Sequence, residues 1–168
     1  MLKHVLLTLA IAFAFSAAGY AQGGNTDWDA NYPEVDISEI LRYEQQYADS
    51  VKAADGNIAY YFRMGKYRFE VTYLGQKRKL DPEVMRSMKN VFKLTAGNPE
   101  QLDGLIENEY LFQVGDQQFW APIQKQLEKP FKEEVKKGRN VLLYCLLLNE
   151  RSSRGLYNTL LISEFLAE

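Results

Sequence analysis

Residues 141–148 read Val-Leu-Leu-Tyr-Cys-Leu-Leu-Leu, a run without a charged or amide side chain. A strand with one buried face alternates apolar and polar residues, whereas a strand covered on both faces is apolar throughout. A helix that crosses a membrane needs about 20 apolar residues, and this run is much shorter. The run therefore predicts a central β-strand, around which the other elements are arranged.

Period-two patterning earlier in the chain predicts a first β-hairpin. Apolar and polar residues alternate over residues 60–64 and again over 67–73, and Gly65-Lys66 separates the two runs. A glycine between two alternating runs is a turn signal. Three side chains of the first run are predicted to face the core: Tyr60, Phe62 and Met64. Tyr61 is predicted to point away from it.

A second hairpin precedes the central strand, and a last strand follows it. Residues 110–114 and 117–123 alternate around a Gly-Asp turn signal, and Trp120 points away from the side chains on the buried face. Residues 156–165 supply the last strand. Both hairpins place aromatic residues around a glycine, which indicates either an internal duplication or β-propensity acting twice.

The remaining apolar patterns are helical. Apolar residues recur at three- and four-residue steps over residues 38–54 and 82–94, and a shorter amphipathic segment covers 129–137. Together the patterns predict an α+β fold. Two or three amphipathic helices pack on antiparallel hairpins, and the C-terminal part forms a curved sheet or a small barrel that resembles SH3-like or OB-like architectures.

The N-terminal segment, residues 1–21, has the order of a secretory signal peptide. Lys3 precedes an apolar stretch, and the small residues Gly19 and Ala21 lie three and one before Gln22. Cleavage after Ala21 predicts an exported protein without stable membrane insertion, in a periplasm or an extracellular medium. The chain has no Asn-x-Ser/Thr glycosylation acceptor, which favours a bacterial source.

Composition and charge predict one soluble domain after a short leader. Residues 22–36 are rich in Gly, Asn and Asp without an apolar period, so they are predicted to form a mobile leader. Residues 37–168 are predicted to form a single domain. The chain carries 20 Lys and Arg against 22 Asp and Glu. This balance offers no field that would gather phosphates, so no nucleic-acid partner is predicted.

The scarcity of histidine and cysteine excludes most enzyme classes. The one histidine, His4, lies within the predicted signal, and the one cysteine, Cys145, lies inside the apolar run. Histidine is the commonest metal ligand and the usual base of hydrolases. No metal, cofactor or histidine-dependent nucleophile is therefore predicted. Cys145 is predicted to be a buried core residue, because desolvation raises a thiol pKa.

Two classes of function remain. The preferred one is a non-enzymatic binding module that recognises a protein partner or a cell-envelope ligand through exposed aromatic side chains, Tyr61 and Trp120. The alternative for these two rings is that they pack under a helix. The second class is a carboxylate-dependent glycan hydrolase, which needs two acids about 5 to 9.5 Å apart. Its candidate acids are Glu107, Glu109, Glu133 and Glu134.

Processing after Ala21 is directly measurable. We expect the exported protein to begin at Gln22, because the small residues that a signal peptidase requires lie just before it. Intact-mass measurement of the protein recovered from the periplasm or the medium checks this. Recovery of the full-length chain stably embedded in a membrane would contradict the assignment.

Overall fold

A computed structural model describes residues 27–55, 60–95 and 97–167. The signal predicted over residues 1–21 and the first part of the predicted leader lie outside the described residues. Within the described ranges, no helix combines the length and the apolar character that crossing a membrane requires.

Helices and strands combine in an α+β fold, as predicted. In the part of the chain that the structure describes, the helices are α1 (Trp28–Asn31), α2 (Ile37–Asp55), α3 (Pro82–Thr95) and α4 (Glu128–Glu134). The strands are β1 (Tyr61–Lys79), β2 (Ile106–Val114), β3 (Gln117–Gln124), β4 (Asn140–Ser152) and β5 (Gly155–Ala167). Short 3-10 helices cover Pro99–Leu102 and Lys125–Leu127. The second hairpin, the last strand and both long helices lie where the sequence predicts them.

The five strands form one mixed, curved sheet in which β4 has a central place. β4 pairs antiparallel with β1 on one side and with β5 on the other, which confirms the predicted central strand. β2 pairs antiparallel with β1 and with β3. The order of pairing is β1-β2-β3-β5-β4, and β4 pairs back onto β1.

The contact between β3 and β5 distinguishes the observed sheet from the small barrel that the sequence predicts. The two strands meet in parallel orientation, and their register consists of the single pair Ile123 and Ile162. A closed barrel joins each pair of neighbouring strands by a ladder with a fixed stagger, which a single residue pair does not provide. The sheet is therefore a curved mixed sheet and not a barrel of that kind, and this option of the prediction is wrong.

The predicted first hairpin does not form, because its two runs belong to one continuous strand, β1. β1 pairs with β4 from Tyr61 to Thr72 without a register shift. Gly65 lies opposite Leu147 inside this ladder and does not turn the chain. A Cβ atom on Gly65 would lie 2.7 Å from the ring of Tyr67, so the glycine makes room for that ring.

A continuous strand keeps every second residue on one face, so the predicted faces of residues 60–64 are reversed. Tyr61 lies half-buried on the face that also carries the core residue Phe69. The three side chains predicted to face the core are exposed on the other face: Tyr60 at 50%, Phe62 at 37% and Met64 at 40%. The exposed aromatic surface is thus on the opposite side of β1 from the predicted one.

β4 is apolar on both faces because a separate cluster covers each face. The main core lies on one face and contains Leu143, Cys145 and Leu147 with aromatic rings from β2 and α4. The second cluster lies on the other face and contains Leu146 and Leu148 with apolar side chains of α3. Burial raises the pKa of the Cys145 thiol well above its ordinary value, which confirms Cys145 as a core residue.

The described part of the predicted leader is folded onto the sheet. Trp28 of α1 packs against Tyr144 of β4, with ring centroids 5.8 Å apart. Residues 33–35 then form a parallel β-bridge with Arg68 of β1. Over residues 27–36 the structure thus differs from the mobile leader that the composition predicts, because ring packing and backbone pairing hold this segment in place.

Gly65→Ala tests why β1 contains a glycine. The new methyl group would collide with the Tyr67 ring, and we expect a loss of about 1 kcal/mol in the free energy of unfolding. Chemical denaturation measures this loss. The control is the double variant Gly65→Ala with Tyr67→Ala: without the ring there is no collision, so the two effects should not add. Additive effects would show that another contact sets the requirement.

Candidate partner-binding surface

The exposed face of the N-terminal half of β1 carries three large apolar side chains in succession. Phe62 and Met64 of β1 and Tyr60, the residue just before it, are called here the outer stripe; they occupy alternate positions and are each more than one third exposed. The ring centroids of Tyr60 and Phe62 are 6.4 Å apart. Single exposed apolar residues are common on protein surfaces, whereas a contiguous apolar patch indicates an interaction site.

A buried polar network lies beside the outer stripe. Glu150 of β4 stands opposite Phe62 in the ladder and is fully buried. Its carboxylate accepts hydrogen bonds from two side chains of α3, Asn90 Nδ2 at 2.7 Å and Arg86 Nη1 at 3.4 Å. Burial first, and then the Glu150 charge, raise the pKa of the Tyr60 hydroxyl. The network ties α3 to β4 and so fixes the backbone that presents the stripe.

The opposite face of β1 carries a second aromatic group, centred on Arg63. The Arg63 guanidinium carbon lies over three tyrosine rings, with centroid distances of 4.3 Å to Tyr47, 5.3 Å to Tyr43 and 5.6 Å to Tyr61. Its Nη1 donates a hydrogen bond to Glu44 Oε1 at 2.9 Å. An arginine stacked on tyrosines gains both packing area and cation–π attraction. These five residues of α2 and β1 are called here the Arg63 cluster.

Tyr61, one of the two predicted partner-binding residues, packs under α2. Its ring meets Tyr47 edge-on, with centroids 5.0 Å apart. Its hydroxyl is buried and has no hydrogen-bond partner among the described residues. The most exposed member of the Arg63 cluster is Tyr43, at 53%. Tyr61 therefore supports the surface from inside, whereas Tyr43 and the outer stripe present their rings to solvent.

Glu44 is a carboxyl buried beneath the Arg63 cluster. Its Oε1 accepts the hydrogen bond from Arg63, whereas its Oε2 is buried and has no partner among the described side chains. Burial raises the pKa of the Glu44 carboxyl above its ordinary value, and the Arg63 charge opposes this only in part. Folding thus makes this carboxyl a weaker acid.

Trp120, the other predicted partner-binding residue, lies near the far end of β1. The Arg78 guanidinium carbon lies 4.2 Å from the centroid of its ring, and Arg78 Nε donates to Glu109 Oε2 at 2.8 Å. Trp120 is half-buried. Tyr61 is the first residue of β1 and Arg78 the last but one. The structure therefore does not bring the two predicted rings into one surface.

Two of the four candidate acids share a cavity. Glu107 and Glu133 line a cavity of about 340 Å³ beside α4, together with Glu128. A hydrogen bond from Lys125 lowers the pKa of the Glu107 carboxyl. Burial raises the pKa of Glu128, but hydrogen bonds from three side chains outweigh it and lower the net value: Asn108, Tyr110 and Lys132. The acid of a glycosidase needs a raised pKa, which is the opposite direction.

The other two candidate acids lie elsewhere. Glu109 is buried and paired with Arg78. Glu134 lies near Glu164 of β5, where burial first and the Glu134 charge after it raise the pKa of the Glu164 carboxyl. Neither Glu134 nor Glu164 lines the cavity of Glu107. Sequence spacing does not predict that Glu134 of α4 lies near Glu164 of β5, because only the tertiary fold brings these two elements together.

The sequence pattern predicts the exposure of only some of the residues on this surface. Tyr43 falls outside the three- and four-residue apolar period of α2, and an aromatic residue off the buried period is a usable signal for exposure. Phe62 and Met64 carry no such signal. Their exposure follows from the continuity of β1, which local patterning does not show.

Comparisons with protein-family models, curated proteins and solved structures find no match to this chain. The geometry of the molecule is therefore what indicates its function. Exposed apolar side chains lie on one face of the N-terminal end of β1, and the exposed ring of Tyr43 lies on the other. Arg63 is fixed beside Tyr43, and Arg86 is fixed near Tyr60. Tyrosine and arginine are the residue types enriched at binding hot spots.

Glu44→Gln should change how stability depends on pH. Because folding raises the pKa of Glu44 above 4.5, the stability due to the neutral carboxyl is complete below pH 4.5 and is lost as the pH rises through the folded-state pKa. We expect wild type to lose stability relative to Glu44→Gln as the pH rises from about 4.5 through the folded-state pKa. Urea unfolding at a series of pH values measures this.

The matched control for this measurement is Gln46→Ala, a neutral change at an exposed position of the same helix. Its stability should follow the pH dependence of wild type. A wild-type advantage over Glu44→Gln that grows with pH would contradict the raised pKa.

Proposed function

We propose that this protein is an exported, soluble, non-enzymatic binding module that recognises a protein partner through the outer stripe and through Tyr43, which is exposed on the other face of the same end of β1. One observation carries the proposal: three large apolar side chains are exposed at alternate positions, two in β1 and one in the residue just before it. Removing apolar surface from water on binding contributes about 25 cal/mol per Å². A cell-envelope ligand is the alternative occupant of the same surface.

The residue types favour a protein as the partner. Aromatic residues, methionine and arginine are enriched in protein interfaces, and all of them occur at this end of β1. Methionine adapts its shape to a partner, and a tyrosine ring orders with little entropy loss. In this proposal Tyr61 acts by holding Arg63 and Tyr47 in place. Trp120, stacked with Arg78, lies apart from this surface.

The glycan hydrolase remains the second candidate because Glu107 and Glu133 line one cavity. The lowered pKa of Glu107 and that of Glu128 argue against a proton donor there. Lys125 and Lys132 neutralise these carboxylates through ion pairs. A binding function needs no such proton donor, and it is the simpler account of the molecule.

The basic run near the end of β1 supports the expectation that nucleic acid is not the partner. Each of its cations is paired with an acid: Lys77 with Glu128 at 3.7 Å, Arg78 with Glu109 at 2.8 Å and Lys79 with Glu107 at 3.9 Å. Binding to a phosphate backbone draws its free energy from cations that can replace counterions. Cations already paired with carboxylates serve this purpose poorly.

Crosslinking from position 62 tests the proposal. A photo-reactive phenylalanine derivative replaces Phe62 in one protein and Leu166 in another. Leu166 is an exposed apolar residue of β5, at 55%, and serves as the matched control. We expect irradiation with cell-envelope proteins of the source organism to attach a specific polypeptide at position 62 and not at 166. Phe62→Ala should weaken that capture by about 2 kcal/mol in a folded protein, as a hot-spot residue does.

Two results would contradict the proposed function. One is the same pattern of crosslinks from positions 62 and 166, which would indicate non-specific contact. The other is turnover of a peptidoglycan or oligosaccharide panel that Glu107→Gln or Glu133→Gln abolishes in a still folded protein.

A further inference from the structure

The backbone of β1 shows which of its residues face away from β4. The Arg68 N–H donates to the Pro33 carbonyl at 3.0 Å, and the Arg68 carbonyl accepts from the Val35 N–H at 3.1 Å. Arg68 therefore directs both backbone groups away from β4. In an antiparallel ladder every second residue directs its groups to the same side. The ladder with β4 is regular over this range, so Phe62 and Met64 also direct N–H and C=O away from β4.

Contacts at the other end of β1 agree with this assignment. Leu80, just after the strand, donates its N–H to the Glu107 carbonyl of β2. Tyr73 donates its N–H to the Arg139 carbonyl, next to β4. Tyr73 precedes the register shift between Tyr73 and Lys77, so odd-numbered residues face β4 up to Tyr73. Leu80 lies beyond that shift and shows that the opposite edge of β1 is the one that pairs with β2.

No backbone hydrogen bond from another described residue reaches Phe62 or Met64 on this edge. β2 pairs with β1 only from Thr72 onward. The segment that pairs with Arg68 stops there because Pro33 has no N–H with which to continue a parallel ladder. The chain before Pro33 forms α1 instead. Unpaired backbone groups along an edge are a template for another strand.

The segment that pairs at Arg68 shows what chemistry the edge accepts. It reads Pro33-Glu34-Val35-Asp36, an alternation of apolar and acidic residues. Glu34 Oε2 lies 3.3 Å from Arg68 Nη2, so the acid contacts the neighbouring cation of β1. Residues 60–69 contain three cations and no acid, and acids outside this range pair with Arg63 (Glu44) and with Arg68 (Asp29 and Glu34). A second copy paired along this edge would bring these cations together, and like charges on paired strands are destabilising.

From this geometry we propose that an extended segment of a partner protein, alternating apolar and acidic residues, adds as a strand to the edge of β1 at Phe62 and Met64. The inference rests on the proposed function and gives that function a mode of recognition. Main-chain hydrogen bonds to Phe62 and Met64 hold the segment in register. The face that carries Arg68 and Glu34 is apolar at Phe62 and Met64, so the apolar side chains of the segment lie along the outer stripe. Its acidic side chains lie on the other face beside Arg63, which is one third exposed and also pairs with Glu44.

Amide hydrogen exchange of the full chain tests the proposal with a synthetic peptide. The probe is an extended peptide of about eight residues that alternates Val and Glu, the length of a typical strand. We expect the peptide to slow exchange of the Phe62 and Met64 amides at least about tenfold, because strand pairing protects edge amides. The Tyr61 and Arg63 amides, already bonded toward β4, serve as internal controls.

Two N-methylated peptides separate backbone pairing from simple apolar contact. One carries N-methyl groups on every Val and the other on every Glu, so each loses the donors of one edge only. We expect one of them to lose binding at least about tenfold and the other to bind as well as the parent, as for an added strand. Loss with methylated Val indicates an antiparallel strand, and loss with methylated Glu indicates a parallel one. Equal binding by both would overturn the proposal.

Met64→Pro removes the edge N–H, whereas Met64→Ala removes only the side chain. Because the Met64 N–H is not part of the β4 ladder, proline is compatible with this edge position. We expect Met64→Pro to weaken peptide binding at least about tenfold more than Met64→Ala does. Equal effects of the two variants would overturn the proposal. If Met64→Pro fails to fold, the methylated peptides decide the question.

The other possible occupants give distinct results. Protection of the Phe62 and Met64 amides without peptide at low protein concentration would show that the chain itself covers the edge. Protection that grows with protein concentration, together with dimer mass in sedimentation, would show that a second copy does. Either result overturns the proposal. If crosslinking from position 62 succeeds while the amides remain unprotected in the complex, the binding function stands and the added strand does not.

Discussion

Coverage of β4 on both faces is the constraint on which the rest of the structure depends. Each buried leucine contributes about 1.5 to 3 kcal/mol only if its face is shielded from water, so the chain must supply a layer on each side. α4 and the start of α2 pack into one cluster, and α3 packs into the other. β1 and β5 pair with the edges of β4 and take their register from it.

Elements specified by local signals were predictable, and elements that depend on distant contacts were not. α3 follows Asp81, whose side chain accepts from the Glu83 N–H at 2.8 Å, and the sequence shows this start without any tertiary information. Gly115 turns the chain with a φ of +54°, as its sequence context indicates. Gly65 has the same local context, yet it lies inside a ladder. Only the contacts with Leu147 across the sheet and with the Tyr67 ring distinguish the two glycines.

The candidate site shows the same division. If Gly65 is taken as a turn, residues 60–64 are assigned to the wrong faces of the strand. The rings of Tyr60 and Phe62, which are predicted to be buried, are therefore exposed. Tyr61 lies close to the surface that the structure defines, but it supports that surface rather than forming it. Trp120 is separated from it by the length of β1. The shared cavity of Glu107 and Glu133 arises where α4 folds back onto β2, and no spacing rule anticipates that contact.

Pro33 limits how far the N-terminal segment can pair along the edge of β1, because proline has no N–H to donate. A segment tethered beside an edge acts at an effective concentration of the order of millimolar, which a free partner seldom matches. With a donor at position 33, the N-terminal segment would be able to extend its pairing along β1 and outcompete any external strand. Among the described residues, the backbone pairing of this segment with β1 is limited to Arg68. In the proposed mode of recognition, one imino acid thus divides a single strand edge into a part that anchors the chain and a part for which external strands compete.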